Sequence, residues 1–246
     1  MATVPKRPSP MPVVYPESDG KPMAESEVHR DAIIDLLLAL QWHFADDVTA
    51  CVSGNMLIYY AEGNPRKSLA PDVFVALGVG VRPRRTYKVW EEGKGPDLVI
   101  EVTSPDTRRE DLRGKFAIYR DVLRVREYVL FDPLDEYLKP SLQGFRLVEG
   151  RYEPIGLIDG WLPSAVTGLL LERDGQQLRL VEPATGRRLT TPREAHMARL
   201  AAEEEVRRLK AENDERRRRL RELKAEYAAL SEQLRRMRRE SSSNDH

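Results

Sequence analysis

Apolar residues return at helical spacing between Ser26 and Phe44, where Val28, Ile33, Leu36, Leu37, Leu40 and Phe44 mark one side of a predicted helix. Ser26 suits the N-cap and Glu27 the positive end of that helix. Val52 to Tyr60 reads as a strand, followed by the turn Gly63-Asn64-Pro65. A second strand is predicted over Asp72 to Val79 and a third over Leu98 to Val102. In the third, alternation puts Leu98, Ile100 and Val102 on one face, and Asp97, Val99, Glu101 and Thr103 on the other. Both faces carry apolar residues, as in a strand covered on both sides. Thr107 and Glu110 form a capping-box pattern for a helix reaching about Leu123, with Phe116, Ile118, Tyr119 and Val122 on its buried side. Glu127 to Phe131 is a fourth strand, ended by Asp132-Pro133. The order helix, strands, helix, strand predicts a mixed α/β core around a central sheet. Residues 141 to 190 alternate short apolar runs with Gly, Pro and Asp, the pattern of β-hairpins or a small β layer beside the core.

Outside this core the pattern changes twice. Residues 1–22 are Pro-rich and polar and read as an extended arm. From Val206 a seven-residue repeat holds: Val206, Leu209, Asn213, Arg216, Leu220, Leu223, Tyr227, Leu230, Leu234 and Met237 alternate as a and d positions. One polar a residue within a sustained heptad fits a parallel two-stranded coiled coil; antiparallel packing and a solvated single helix are the other readings. The expected organisation is an arm (1–22), an α/β domain (23–190), a coiled coil (193–240) that makes a homodimer, and a disordered tail (241–246).

Charge bears on partners. The 246 residues hold 40 basic and 40 acidic side chains, and residues 193–246 take 15 of the former and 12 of the latter. The remainder is slightly acidic, so global charge does not argue for nucleic acid, and any basic groove must be local. Arg216 to Arg239 carries ten basic and three acidic residues, a run that could touch phosphate or simply be solvated. Cys51 is the single cysteine, which excludes an internal disulfide and a multi-cysteine zinc site and suits a reducing cytoplasm. The N-terminus lacks an apolar signal-peptide core, and the most apolar helical stretch, Ala32 to Leu40, is too short for a membrane span.

The candidate chemistry lies in GPDLVIEVTSPDTRREDLRGK, Gly95 to Lys115, taken with Pro71-Asp72. Acids within a buried strand are costly unless something positive meets them. Two carboxylates on neighbouring strand ends suit a magnesium-type ion, and a nearby lysine can stabilise developing negative charge. Asp72, Glu101 and Lys115 meet in this way if the Asp72 and Leu98 strands are neighbours. Asp97 shares a face with Glu101 but lies roughly 13 Å along an ideal strand, which leaves it a supporting role or that of a turn residue. Against these stand structural readings: a turn at Asp72, a bridge from Glu101 to Arg109 or Lys115, and a surface pair of Lys115 with Asp111.

Pro71-Asp72, Glu101 in a strand and a following lysine resemble the PD-(D/E)xK nuclease superfamily. The stretches YPESDGKPMAESEVHR, GNMLIYYAEGNPRKSLAPDVFV, YKVWEEGKGPDLVIEVTS, TRREDLRGKFAIY, REYVLFDP and LQGFRLVEGRYEPI resemble, more closely, the Uma-two family of bacterial putative restriction endonucleases. The resemblance covers residues 15 to about 190. It implies a restriction-endonuclease-like fold and Mg²⁺- or Mn²⁺-dependent hydrolysis of DNA phosphodiester bonds. By position, Asp72 and Glu101 match the two acids and metal ligands. Thr103 stands where the lysine usually does, which makes Lys115, on the next helix, its replacement. An acid on the first helix often completes such sites; Glu27 or Glu25 is the candidate, with His29 behind them. The alternative is a nuclease fold without activity that serves as a binding or scaffold protein through its tail.

Overall fold

A computed structural model gives the structure of the chain and describes residues 13–18, 26–103 and 110–243. The chain divides into two compact units, Met1–Pro192 and Arg193–His246.

In the first unit, helix α1 spans Glu27–His43, and the Ser26 side chain accepts from the His29 amide at 3.2 Å to cap it. Its buried positions include His29, Ala32, Ile33, Leu36 and Leu40. Strands β1 (Cys51–Ser53), β2 (Ile58–Tyr59), β3 (Ser68–Leu69), β4 (Val73–Ala76) and β5 (Tyr87–Lys88) follow, then the one-turn helix α2 (Val89–Glu92) and β6 (Leu98–Val102). A helical segment over 110–122 leads to β7 (Glu127–Phe131), β8 (Leu142–Val148), β9 (Arg151–Pro154), β10 (Leu162–Pro163), β11 (Leu170–Asp174) and β12 (Gln177–Val181). The central sheet has the order β1-β4-β6-β7-β8-β9. Only β6 and β7 pair in parallel within it, and the helical segment supplies the crossover such a pair requires. Two smaller sheets, β3-β2-β5 and β10-β11-β12, complete the described strands.

Every residue of β4, β6 and β7 is buried. The alternating side chains therefore feed two cores. Val73, Val75, Leu98, Ile100 and Val129 pack with Leu36 and Leu40 of α1 and with Leu171 and Leu180. Phe74, Val99, Tyr128 and Leu130 pack on the opposite face with Tyr119 and Leu123. Glu101 and Thr103 follow the parity of the second face, as the alternation predicts.

Several expectations change in detail. The strand expected over 52–60 is broken: β1 ends at Ser53 and β2 belongs to another sheet. The cause is local. A Cβ at Gly54 would lie 2.1 Å from the Asp72 carbonyl oxygen, Asn55 has φ +48°, and the Asn55 amide donates to Pro71 O at 2.9 Å. The strand expected over 72–79 stops at Ala76, and the chain turns at Gly78 with φ +80°. The helix expected to reach Leu123 exists, but two of its stretches, Glu110–Lys115 and Ile118–Val122, are π-helical. The Leu123 amide donates to Ile118 O, five residues back, at 2.9 Å. This wider turn rotates Val122 to solvent and Leu123 inward, reversing the expected placement of Val122. Residues 13–18, expected in an extended arm, touch the domain. Tyr15 packs on Tyr59 and Trp90, and its hydroxyl accepts from the Gly63 amide at 2.6 Å. The expected capping box at Thr107 and Glu110 and the contact with Arg109 lie outside the described residues and side chains.

The second unit is formed by α3, which spans Pro192–Ser243, 52 residues and about 78 Å of helix. Val206, Leu209, Leu220, Leu223, Leu230 and Leu234 are 49–59% exposed along it. No helix among the described residues is long and apolar enough to cross a membrane.

Candidate active site

Strand pairing brings the two principal acids together. In the β4–β6 register, Val73 is opposite Ile100 and Phe74 opposite Val99, so one further step sets Asp72 across from Glu101. Residues directly opposite on one face have Cβ atoms about 4.5–5.5 Å apart. Asp72 sits just before β4, where its Oδ2 accepts from the Val102 amide at 2.8 Å. That bond ties the carboxylate to the end of β6. Glu101 is 1% exposed. Its Oε2 accepts from Lys115 Nζ at 2.9 Å and its Oε1 from the Tyr119 hydroxyl at 2.6 Å.

Lys115 comes from the helical segment, twelve residues after Thr103 in the chain. Its Nζ also lies 3.0 Å from Asp111 Oδ1. Asp111, Lys115 and Tyr119 are four residues apart. That spacing overshoots an α-turn of about 3.6 residues and undershoots a π-turn, so alternating the two keeps the three side chains in one line over Glu101. The surface pair of Lys115 with Asp111 is thus replaced by a buried one: the side chains are 13% and 2% exposed. Thr103 is occupied elsewhere, its Oγ1 donating to Phe131 O at 3.3 Å and accepting from the Tyr137 hydroxyl at 2.7 Å.

The first helix contributes a different residue from the one expected. Glu27 is exposed and lies 3.9 Å from Arg30, away from the acids, while Glu25 lies outside the described residues. His29 is buried instead, with Nε2 in contact with Val102 O and 3.6 Å from Asp72 Oδ2. The helix periodicity carries the signal: His29 lies three residues before Ala32 and seven before Leu36, on the buried face. Asp97 binds at the other end of β6, where Oδ2 accepts from Lys94 Nζ at 2.6 Å and from the Leu77 amide at 2.8 Å, and Arg126 stands 3.7 Å from Oδ1. Tyr119 is in the apolar core as its helix face suggests, and also holds Glu101.

Other buried acids show what a structural carboxylate looks like here. Glu127 takes Arg146 on Oε1 at 2.8 Å, the Ser164 hydroxyl on Oε2 at 2.6 Å and the Ala165 amide at 2.9 Å. Asp132 accepts three backbone amides, those of Leu134, Tyr137 and Leu138. The Asp72 group differs in balance. Among the described residues, the buried carboxylates of Asp72, Glu101 and Asp111 surround one ammonium, Lys115. Burial pushes the Glu101 carboxyl up to about 8, against the pull of Lys115, and Asp72 and Asp111 add to the rise. Burial by itself would lower the Lys115 ammonium, but the charges of Glu101, Asp111 and Asp72 outweigh it and hold the pKa above the ordinary lysine value. Burial and the neighbouring Glu101 likewise raise the Tyr119 phenol well above 10.

This donor set fits a hard divalent cation in a limited sense. Its oxygens are carboxylates carrying more negative charge than Lys115 offsets, and Glu101 and Asp72 each have lone pairs beyond the contacts described. No three His, Cys, Asp or Glu side chains among the described residues converge as a ready coordination shell. The fit is therefore to an ion of the magnesium type, which is held by one or two carboxylates and retains waters, and not to an all-protein cage.

The family model of Uma2, described as putative restriction endonuclease, matches residues 13–194. The chain belongs to the Uma2 family. No curated protein matches it. Among solved structures, a putative nuclease belonging to DUF820 from Anabaena variabilis ATCC 29413 is similar, at 16% identity, over 62% of this chain and 82% of that one, with a TM-score of 0.45. The mixed sheet with its flanking helices is the restriction-endonuclease-like arrangement expected for Uma2, and the family suggests a nuclease.

Proposed function

We propose that this Uma2 chain is a divalent-metal-dependent endonuclease that hydrolyses DNA phosphodiester bonds, with Asp72 and Glu101 as metal ligands and Lys115 as the third catalytic residue. The observation that carries the reading is the 2.9 Å contact of Lys115 Nζ with Glu101 Oε2. A lysine absent from its usual place on the strand is delivered to the same acid from the helix. The imbalance of three carboxylates around one ammonium also favours a cation.

A bound Mg²⁺ or Mn²⁺ would polarise the scissile phosphoryl group and acidify a bound water. Asp72 and Glu101 would hold that ion. Lys115, kept protonated by its acidic neighbours, acts as a fixed positive donor and not as a general base. In this reading it stabilises negative charge developing on the reacting phosphate. Asp111 positions Lys115, and Tyr119 positions Glu101. His29 steadies Asp72 from α1. The protein acts in the cytoplasm, where its single thiol, buried Cys51, is compatible with a reducing medium. Dimerisation through α3 supplies two such sites, as double-strand cleavage requires.

The test is cleavage of plasmid and linear DNA with Mg²⁺ or Mn²⁺, comparing the parent with Asp72→Asn, Glu101→Gln and Lys115→Ala. Loss of cleavage in all three variants, with the fold retained by circular dichroism, supports the assignment. Equal cleavage by the parent and Glu101→Gln removes this mechanism. A parent that binds DNA without cutting it under any of these conditions favours the non-catalytic scaffold reading, to which Thr103 in the lysine position already points.

A further inference from the structure

The apolar face of α3 is exposed over most of its length, yet its flanking charges are not those of a helix made only for solvent. In the heptad register set by Val206 as a and Leu209 as d, the e column begins Lys210, Arg217, Lys224 and the g column begins Glu205, Glu212, Arg219. We infer that α3 is built for a second copy of this chain in a parallel, in-register, two-stranded coil. This rests on the dimer reading above and specifies its geometry.

In a parallel pair each g residue faces the e residue of the next heptad on the other copy. Glu205 then meets Lys210 of the second copy, and Glu212 meets Arg217. Two-fold symmetry doubles both attractions. Arg219 against Lys224 is the one repulsive step. Antiparallel pairing instead puts e beside e and g beside g. With Val206 laid against Met237, the e column would set Arg217 against Lys224, and the g column would set Glu212 against Gln233 and Arg219 against Glu226, so two attractive g–e pairs per copy are exchanged for a single attractive g–g pair. The core positions agree. Overlaying the stripe from Val206 to Met237 antiparallel sets Asn213 against Leu230, burying an amide beside an aliphatic chain. Parallel pairing sets Asn213 against its own copy, where each amide can donate to the other. Arg216 at the neighbouring d position works against burial in either orientation. Within one helix, Glu205 lies 2.7 Å from Arg208 and Glu212 3.5 Å from Arg216. These exposed pairs are weak and exchange easily for partners on a second helix.

The test uses the full chain with Cys51→Ala, so that an introduced cysteine is the single thiol. Sedimentation equilibrium comes first. Twice the mass of the 28.2 kDa chain is expected, and a monomer mass overturns both the dimer reading and this inference. Two variants, Asn213→Cys and Leu230→Cys, are then oxidised separately and as a mixture. Parallel pairing gives 213–213 and 230–230 disulfides. A mixed 213–230 disulfide as the main product leaves the dimer standing and overturns the orientation. A dimer that forms no disulfide in any combination overturns the stripe as its interface. Glu205→Lys with Glu212→Lys should weaken self-association roughly tenfold or more at low salt, and unchanged association removes the charge argument.

Discussion

Replacing Glu101 with Gln should make the protein more stable at pH 8 and, under the proposed mechanism, remove DNA cleavage. The carboxyl is buried and pushed up to about 8, from an ordinary value of 4.5. Between those two values the unfolded chain has lost the proton and the folded chain keeps it. The folded state therefore binds more protons, and stability falls as pH rises through this window. At about 1.4 kcal/mol per pH unit, the total loss approaches about 5 kcal/mol. Relaxation and water entry around the ionised carboxylate reduce that figure. A glutamine keeps the shape, its amide oxygen can still accept from Lys115, and the Tyr119 hydroxyl can turn to accept from its NH₂ group. Asp111, 3.0 Å from Lys115 Nζ, is untouched by the substitution and should keep the ammonium paired. The expected gain at pH 8 is on the order of 2 kcal/mol, vanishing or reversing near pH 5. The assay is urea denaturation from pH 5 to 8.5 in chelator, parent against Glu101→Gln. Groups other than residue 101 are common to both proteins, so the difference between the two curves isolates Glu101. A difference that stays constant across this range would refute the reasoning.

Three further outcomes follow from the same geometry. Lys115→Met leaves the acids without their ammonium and should cost about 3–5 kcal/mol at pH 8, and less at pH 5 where Glu101 carries a proton, measured by the same denaturation series. Tyr119→Phe removes a 2.6 Å hydrogen bond to Glu101 and should cost about 1–2 kcal/mol in thermal melts, with a larger proportional loss in cleavage rate than in DNA binding; an equal loss in both would make Tyr119 a packing residue alone. Gly54→Ala would place a Cβ 2.1 Å from the Asp72 carbonyl oxygen; forcing that backbone apart should destabilise the protein by about 1–3 kcal/mol and weaken Mn²⁺ binding followed by titration calorimetry, whereas unchanged Mn²⁺ affinity would separate Asp72 from the metal.

Strong periodicity was legible where one physical demand dominated. Leu98 to Val102 had to alternate between two cores, and α1 had to bury one stripe, so both elements stand where the pattern places them. The long heptad likewise becomes one helix. The site was legible in part because its cost was: a glutamate inside an apolar strand demands a cation, and Lys115 supplies it. What the pattern could not carry was tertiary or depended on a change of helical pitch. The sequence contains no mark of the i to i−5 bond at Leu123, so its periodicity puts Val122 on the wrong side. The break after Ser53 depends on how closely Gly54 approaches Asp72, a contact between segments 18 residues apart. In the sequence His29 stands behind Glu25 and Glu27 as a candidate, although its position on the buried face of α1 separates it from Glu27.

The pairing of β4 with β6 has one more implication. Asp72 and Glu101 do not hang from flexible loops; they end adjacent strands that are buried on both faces. Their separation is therefore set by the hydrogen-bonded spacing of neighbouring strands, about 4.8 Å, a dimension fixed by the peptide unit itself. Core substitutions that keep the register can change how firmly the sheet is held, but they leave that gauge alone. A one-residue slip of β4 against β6 would instead carry Asp72 to the opposite face, dismantling the pair in a single step without altering either acid.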